Sequence, residues 1–190
     1  MKTFFTLALA LGVCIATLGT QFRAAQNLSP TDKDVVATFE KRVKEYAKLR
    51  KDLETKLPKL SKEAKPEEIE THKKLFQERV RAARAGAKPA DMFTPETATL
   101  IRAIIKDEFK GKDRVELRDT VLKESENKAV PIRINYAYPE SQELLEMPPT
   151  LLLRLPQLPK QLRYRFVRRN MLLLDRENGL IIDFMTNAIP

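Results

Sequence analysis

Residues 162–184 read LRYRFVRRNMLLLDRENGLIIDF, and they carry the clearest structural pattern in the chain. In the first six positions apolar side chains alternate with two arginines, which is the period of a β-strand with one apolar and one largely basic face. Two apolar runs follow, separated by the turn-forming segment DRENG. The stretch therefore predicts a three-stranded antiparallel meander. The residues predicted to share one sheet face are Tyr164, Phe166, Leu172, Leu174, Ile181 and Phe184.

Three helix starts lie upstream of the meander, at Pro30, Pro66 and Pro95. Each proline suits a first helical position, where its missing N–H would have no partner in any case, and acidic residues follow it in the first turn. Glycine and proline predict where the helices end. The predicted ends are near Pro58, Gly86 and Gly111, and a shorter fourth helix is predicted at about 112–124.

The first helix carries an apolar seam. Phe39, Val43 and Tyr46 recur at spacings of three and four, and Arg50 occupies the next seam position. A short linker with two prolines joins this helix to the second, which predicts an antiparallel hairpin. The seam either packs within the chain or pairs two chains through helix 31–57, and Arg50 weakens the second alternative.

These elements predict an α+β fold in which an N-terminal helical hairpin precedes two shorter helices packed with the C-terminal meander. Residues 26–90 form the charged hairpin, and residues 91–190 form an α+β domain with a Pro-rich connector at 131–159. A three-stranded sheet with an apolar face is stable only when other residues pack against that face. We expect helix 95–110 to provide this packing, with the hairpin at the periphery of that core.

Residues 1–25 have the features of a secretory signal peptide. Lys2 precedes a largely apolar run of sixteen uncharged residues at 4–19, and small side chains follow this run. As a helix, sixteen residues rise only ~24 Å, short of a ~30 Å hydrocarbon core, which disfavours a permanent membrane anchor. We predict cleavage after Gly19 or near Ala25 and a periplasmic or secreted protein, attached to a membrane only through an uncleaved signal helix. Cys14 fits a hydrophobe inside that helix, not a lipid-bearing cysteine.

The composition excludes several classes of site. The 190 residues include 35 Lys and Arg against 26 Asp and Glu, a formal net charge of +9, with one Cys and one His. One cysteine excludes a disulfide framework and a thiolate zinc site, and one histidine excludes a multi-histidine metal site. The few glycines do not suit a phosphate-binding loop of the usual form. We predict no catalytic residue, no cofactor and no metal ligand, and we interpret His72 as a structural residue.

Basic residues cluster on the first helix and around the first predicted strand. Such a density of positive charge attracts anionic lipid head groups or envelope polymers, although a basic face also serves solubility alone. Nucleic acid is disfavoured by the export signal, by the absence of Trp and by the few aromatics among the charges. The predicted anionic-surface site consists of Lys160, Arg163, Arg165, Arg168 and Arg169.

Several motifs over residues 91–190 carry a resemblance. Phe93-Thr94-Pro95-Glu96 opens a helix, a Pro-rich stretch begins at Met147-Pro148-Pro149, and the hairpin-ended tail contains Leu180-Ile181-Ile182-Asp183-Phe184. Together they resemble a family of uncharacterised bacterial exported proteins, which implies export and brings no functional residues. Tyr164-Arg165 and residues 175–181 are also similar to the tail of periplasmic nickel/cobalt homeostasis proteins, which would imply metal handling.

These observations predict an exported, non-enzymatic binding or structural protein of the bacterial cell envelope. Its partner would be an anionic envelope polymer, a lipid surface or another envelope protein. Two alternatives stay open. One is a hydrolase of envelope polysaccharide that uses Asp and Glu alone, which needs two carboxylates facing each other at roughly 5–9 Å. The other is an accessory protein of periplasmic metal homeostasis.

Overall fold

The computed structural model describes residues 28–110, 115, 118–119, 130–139 and 147–189. Helices stand beside one antiparallel sheet, which confirms the predicted α+β class. The helices are α1 (Pro30–Glu54), α2 (Pro66–Ala83), α3 (Pro95–Glu108) and a single turn, α4 (Pro149–Leu152). The strands are β1 (Leu162–Val167), β2 (Asn170–Asp175) and β3 (Ile181–Met185).

The helix starts lie where the prolines predict them. At α1, the Ser29 hydroxyl accepts the N–H of Asp32 at 3.1 Å, and the Asp32 carboxylate accepts the N–H of Ser29 at 3.3 Å. This capping box satisfies donors that the first turn leaves without partners. At α3, the Thr94 hydroxyl accepts the N–H of Thr97 in the same way.

Two predicted helix ends need correction. α1 stops at Glu54, ahead of Pro58, because the next turn tightens into i→i+3 hydrogen bonds at Lys56 and Leu57. α2 stops at Ala83 with Arg84 as its cap, and Gly86 does not adopt the left-handed conformation expected of a glycine cap. The C-terminal side of each helix is thus less well marked by sequence than its start.

The three strands form the predicted meander in the order β1-β2-β3. The register pairs Tyr164 with Leu173 and Arg163 with Leu174. We call the side that carries Tyr164 and Leu173 the first face, and the side that carries Arg163 and Leu174 the second face. The predicted shared face is wrong for β2 and β3, because these strands place four of the six residues on the second face. Those four are Leu172, Leu174, Ile181 and Phe184.

One core joins the helices to the first face of the sheet. Three aromatic rings pack against one another in this core, with ring centroids 5.6–6.4 Å apart. They belong to Phe39 on α1, Phe93 in the loop before α3, and Tyr164 on β1. The expectation that the hairpin lies at the periphery is wrong, because side chains of α1 and α2 are as deeply buried as those of α3. The buried hairpin side chains are Phe39, Val43, Tyr46, Arg50, Phe76 and Val80. The seam of α1 therefore packs within the chain.

A smaller apolar cluster covers the second face. Residues 130–138 cross it, and Tyr138 packs there with Leu172, Leu174 and Ile181. The segment is tied to the start of β3 by backbone bonds, among them the Asn135 N–H to the Ile181 carbonyl at 2.7 Å. The second face thus has an ordered cover, but a thinner one than the first face.

The described part of the Pro-rich connector packs on α3. Met147, Leu151 and Leu155 are buried in the main core. Within the described residues, no helix is long and apolar enough to cross a membrane. The predicted signal peptide 1–25 lies outside those residues, as does most of the predicted helix 112–124, of which 115 and 118–119 are helical.

Candidate functional site

The predicted basic site lies along strand β1, which is an edge of the sheet. Arg163 and Arg165 alternate with buried residues of the first face and therefore belong to the second face. Arg168 follows in the two-residue turn to β2, and Lys160 precedes the strand; both are exposed. Four of the five predicted residues thus form a row along one edge strand. We call Lys160, Arg163, Arg165 and Arg168 the basic row.

The fifth residue, Arg169, has a structural partner. Its Nε donates to the carbonyl of Ile189 at 3.1 Å, and its own carbonyl accepts the N–H of Ala188 at 2.6 Å. Ala188 and Ile189 are buried in the main core. Arg169 therefore holds the C-terminal tail against the first-face side of the sheet.

Arg163 contains a buried donor, its Nε, that has no partner among the described residues. Its Nε is enclosed and forms no hydrogen bond to any described residue. A buried donor left unpaired costs about 1–3 kcal/mol, so most such donors in folded proteins find an acceptor. Among the described residues, no carboxylate lies within 4 Å of the side-chain nitrogens of Lys160, Arg163 or Arg168.

Arg50 contrasts with the basic row because carboxylates surround it. Its Nε donates to Asp175 at 2.8 Å, its Nη1 donates to Glu54 at 2.8 Å, and its Nη2 bonds to Glu177. The guanidinium also lies 5.3 Å from the ring centre of Phe76 on α2. Burial lowers the pKa of Arg50, but the three carboxylates outweigh that effect and raise it. This cluster fastens α1 to the turn between β2 and β3.

Asp175 is the centre of that cluster. The side chain is fully buried at the end of β2 on the first face. One oxygen accepts from Arg50 and from the Tyr46 hydroxyl at 3.1 Å, and the other accepts the N–H groups of Glu177 and Asn178, each at 3.1 Å. The carboxylate thus shapes the β2–β3 turn and binds α1 at once.

Asp183 plays a similar part on the neighbouring strand β3, where it lies opposite Leu173. It is fully buried on β3, and its oxygens accept four backbone N–H groups at 2.7–3.1 Å, from Ala90, Met92, Phe93 and Phe184. Burial raises the pKa of Asp183, and these hydrogen bonds offset only part of the rise. The carboxylate holds the loop that leads into α3.

Glu108 is the third buried carboxylate among the described residues. It accepts the Thr150 hydroxyl at 2.6 Å and an Arg154 Nη1 at 3.0 Å, and Asp107 accepts the other Nη of Arg154 at 2.6 Å. These bonds fasten α4 to the end of α3. All three buried carboxylates therefore join separate elements of the fold.

Sequence reasoning missed these roles, although a signal was present. Arg50 stands on an otherwise apolar helix seam, and Asp183 stands inside the apolar run of β3. A charge at a core-facing position requires a buried partner, so each of them predicts an unseen contact. The partners themselves are distant in sequence, as Arg50 and Asp175 are 125 positions apart, and periodicity does not identify them.

No group of three or more His, Cys, Asp or Glu side chains is placed to hold a metal ion in the part of the chain that the structure describes. His72 is half-buried and lines an apolar groove with Leu60 and Leu75. No protein-family model, no curated protein and no solved structure matches the chain. The resemblance of residues 91–190 to exported bacterial proteins therefore stays a prediction.

Proposed function

We propose that the protein is an exported, non-enzymatic binding protein of the bacterial cell envelope, and that its basic row binds an anionic surface. The ligand chemistry is a repeated phosphate or carboxylate, as on lipid head groups or an envelope polymer. Export rests on the signal-like residues 1–25 and on the resemblance of residues 91–190. The binding role rests on the charge and geometry of β1.

The buried Nε of Arg163 is the observation that carries the binding role. Arg163 lies opposite Leu174 on the second face, beside the apolar cluster of Tyr138 and Ile181. A guanidinium held next to apolar side chains loses hydration, and its contact with an external oxyanion is stronger for that reason. The terminal nitrogens of that guanidinium are not enclosed and form no hydrogen bond to a described residue, so an external anion would contact Arg163 through them.

Arg168 adds a second observation. It adopts a φ of +53°, in the left-handed region, at a turn position that usually favours Gly or Asn. An L-residue in that conformation costs roughly 1–2 kcal/mol. The strain leaves a cation exposed at the tip of the β1–β2 hairpin, where it extends the charge of Arg163 beyond the sheet.

The use of the buried carboxylates favours a binding protein over a hydrolase. Acid–base hydrolysis needs two carboxylates that face a substrate. Asp175, Asp183 and Glu108 each accept hydrogen bonds that join elements of the fold. Those bonds give each carboxylate a structural purpose without any substrate.

Vesicle and polymer binding tests the proposal. Wild-type protein should bind vesicles of phosphatidylglycerol mixed with phosphatidylcholine, or soluble polyphosphate, and should not bind vesicles of phosphatidylcholine alone. Each basic residue near an anionic membrane contributes about 1 kcal/mol, so replacing Arg163, Arg165 and Arg168 with Gln should weaken vesicle binding by about 100-fold. Binding to polyphosphate but not to vesicles would identify a polymer as the source of the anion.

A matched variant distinguishes binding by the basic row from binding that depends only on the net positive charge. Lys41, Lys48 and Lys51 are exposed on α1, and replacing these three with Gln removes the same charge. That control should bind nearly as well as wild type. A thermal melt of each variant checks that it is folded. A Lys160→Gln/Arg168→Gln variant changes only exposed side chains, so any loss of binding in it does not come from disturbed packing. Equal weakening by the α1 variant and the β1 variants would contradict the proposal.

A further inference from the structure

A cleft of about 610 Å³ lies between α1, the end of α2 and the loop that leads into α3. Its walls include Arg42 and Glu45 from α1, Arg84 from the end of α2, and Asp91 from the loop. Leu49 and Met92 add apolar surface. The volume is in the range of small-molecule sites, which combine an apolar wall with a few polar groups.

Arg84 is a half-buried cation with neutral partners. Its Nη1 donates to the Asn135 side-chain oxygen at 2.7 Å, its Nη2 donates to the Ile182 carbonyl at 3.0 Å, and its guanidinium lies 5.2 Å from the ring centre of Tyr46. No described carboxylate lies within 4 Å of it. Burial lowers the pKa of Arg84, whereas the pKa of Arg50, with three carboxylates beside it, is raised.

Arg42 is a second cation of the same kind. Its Nη1 donates to the backbone carbonyl of Asp91 at 2.7 Å, and among the described residues no carboxylate forms an ion pair with it. A guanidinium carries five N–H donors, so each of these arginines keeps donors for a ligand. The cleft therefore presents two guanidinium groups that form no ion pair within 4 Å of a described carboxylate, although Asp183 and Asp91 are near enough to offset part of the fall in the pKa of Arg84.

The cleft also carries negative charge. Glu45 is exposed and forms no hydrogen bond to a described residue, and one oxygen of Asp91 accepts the N–H of Lys88 at 2.8 Å. A simple anion would meet repulsion from these two carboxylates. A molecule that carries one charge of each sign would complement both pairs of side chains.

The wall formed by the loop is held in a strained shape. Residues 88–91 make a turn closed by the Asp91 N–H to the Lys88 carbonyl at 3.2 Å, with Ala90 at a φ of +71°. This conformation favours Gly, and the bond from Ala90 N–H to Asp183 maintains it. Strain that the surrounding structure imposes is common at ligand sites.

We propose that the cleft binds a small zwitterion of the amino-acid or dipeptide type. Its carboxylate contacts Arg42 and Arg84, its ammonium group lies near Glu45 and Asp91, and its side chain lies against Leu49 and Met92. The proposal is independent of the basic row, which lies along strand β1, whereas the cleft is lined by α1, the end of α2 and the loop before α3.

Calorimetric titration of the full-length protein with each of the twenty common amino acids and with Ala-Ala tests this inference. At least one of these probes should bind, while acetate and methylamine, each with one of the two charges, should not. Amide chemical shifts of residues 88–94 should move with the bound probe. Failure of all the probes to bind, or acetate binding as tightly as the best amino acid, would overturn the proposal.

Glu45→Gln is the informative variant, because Glu45 is exposed and its replacement should leave the fold intact. Loss of a charge-assisted hydrogen bond should weaken binding by at least about tenfold. Glu45→Asp should restore part of the affinity, and Glu78→Gln, an exposed change on α2 outside the cleft, should have no effect. Equal affinities of the Glu45→Gln and Glu78→Gln variants would also overturn the proposal.

Discussion

The two faces of the sheet use charge in opposite ways. On the first face, Asp175 and Asp183 are fully buried, and each joins a strand to a helix or to the loop before one. On the second face, the charges belong to arginines at the edge, and Arg163 has a buried donor without a described acceptor. Buried charge with a complete set of partners specifies a fold, whereas charge with unused donors is available to a ligand.

Removing Arg50 should have the largest effect on stability. In Arg50→Ala the carboxylate of Asp175 loses its cation inside the core, and breaking a buried ion pair in this way costs about 3–5 kcal/mol. Urea denaturation of the purified variant measures the change, with Lys51→Ala as the exposed control on the same helix. A loss below about 1 kcal/mol would show that the Arg50 cluster does not hold α1 to the sheet.

Two phenylalanines test the faces directly. Phe166 is fully buried on the first face, so Phe166→Ala should cost about 3–5 kcal/mol. Phe184 is half-buried on the second face, and Phe184→Ala should cost less than about 2 kcal/mol. The two free energies of unfolding are measured under one set of conditions. Equal costs, or the reverse order, would contradict the assignment of the faces.

Sequence predicted the elements better than their arrangement. Helix starts and strand periods are local signals, and capping residues such as Ser29 specify them over a few positions. The apolar pattern does not show which residues of β2 lie on which face, because its four consecutive apolar residues do not alternate with polar ones. Counting back from the two-residue turn at Arg168 would have placed Tyr164 opposite Leu173, so loop length held information that the apolar pattern lacked.

The candidate site was predicted only in part. Charge alone indicated the basic residues around β1, and alternation placed Arg163 and Arg165 together. The tail contact of Arg169 and the cleft beside Arg84 depend on residues that are distant in sequence, such as Ile182 and Ile189. No local pattern encodes such contacts. A charged residue at a core position indicates that such a long-range contact exists, without identifying the partner.

Asp183→Asn should have an intermediate effect. The amide keeps one acceptor oxygen but turns an NH₂ group toward the two N–H donors on the other oxygen, which are either Met92 and Phe93 or Ala90 and Phe184. Leaving buried donors without acceptors should cost about 1–3 kcal/mol. Thermal unfolding checks the loss, and hydrogen exchange should show faster opening of residues 90–93. Unchanged exchange in this loop would mean that Asp183 is not its anchor.

Ala90→Gly should have the smallest effect on stability and the opposite sign. Glycine accepts the φ of +71° without steric strain, so the variant should be more stable by about 1 kcal/mol. Ala103 lies exposed on α3, where the same change should destabilise by a similar amount. Denaturant midpoints compare the two variants. A destabilising effect at both positions would show that the loop conformation is not strained.

Hydrogen exchange of the wild-type protein, with and without vesicles of phosphatidylglycerol and phosphatidylcholine, compares the two faces in one experiment. At about 0.1 M salt or below, exposed charges still interact over ~10 Å. We expect vesicles to slow exchange in residues 160–168 and to leave α1 and α2 unchanged, because we assign vesicle binding to the basic row, whereas Arg42 and Arg84 line a cleft sized for a small molecule. Slower exchange confined to residues 41–51 of α1, or no change along β1, would contradict the division of the sheet into a face that holds the fold and a face that binds.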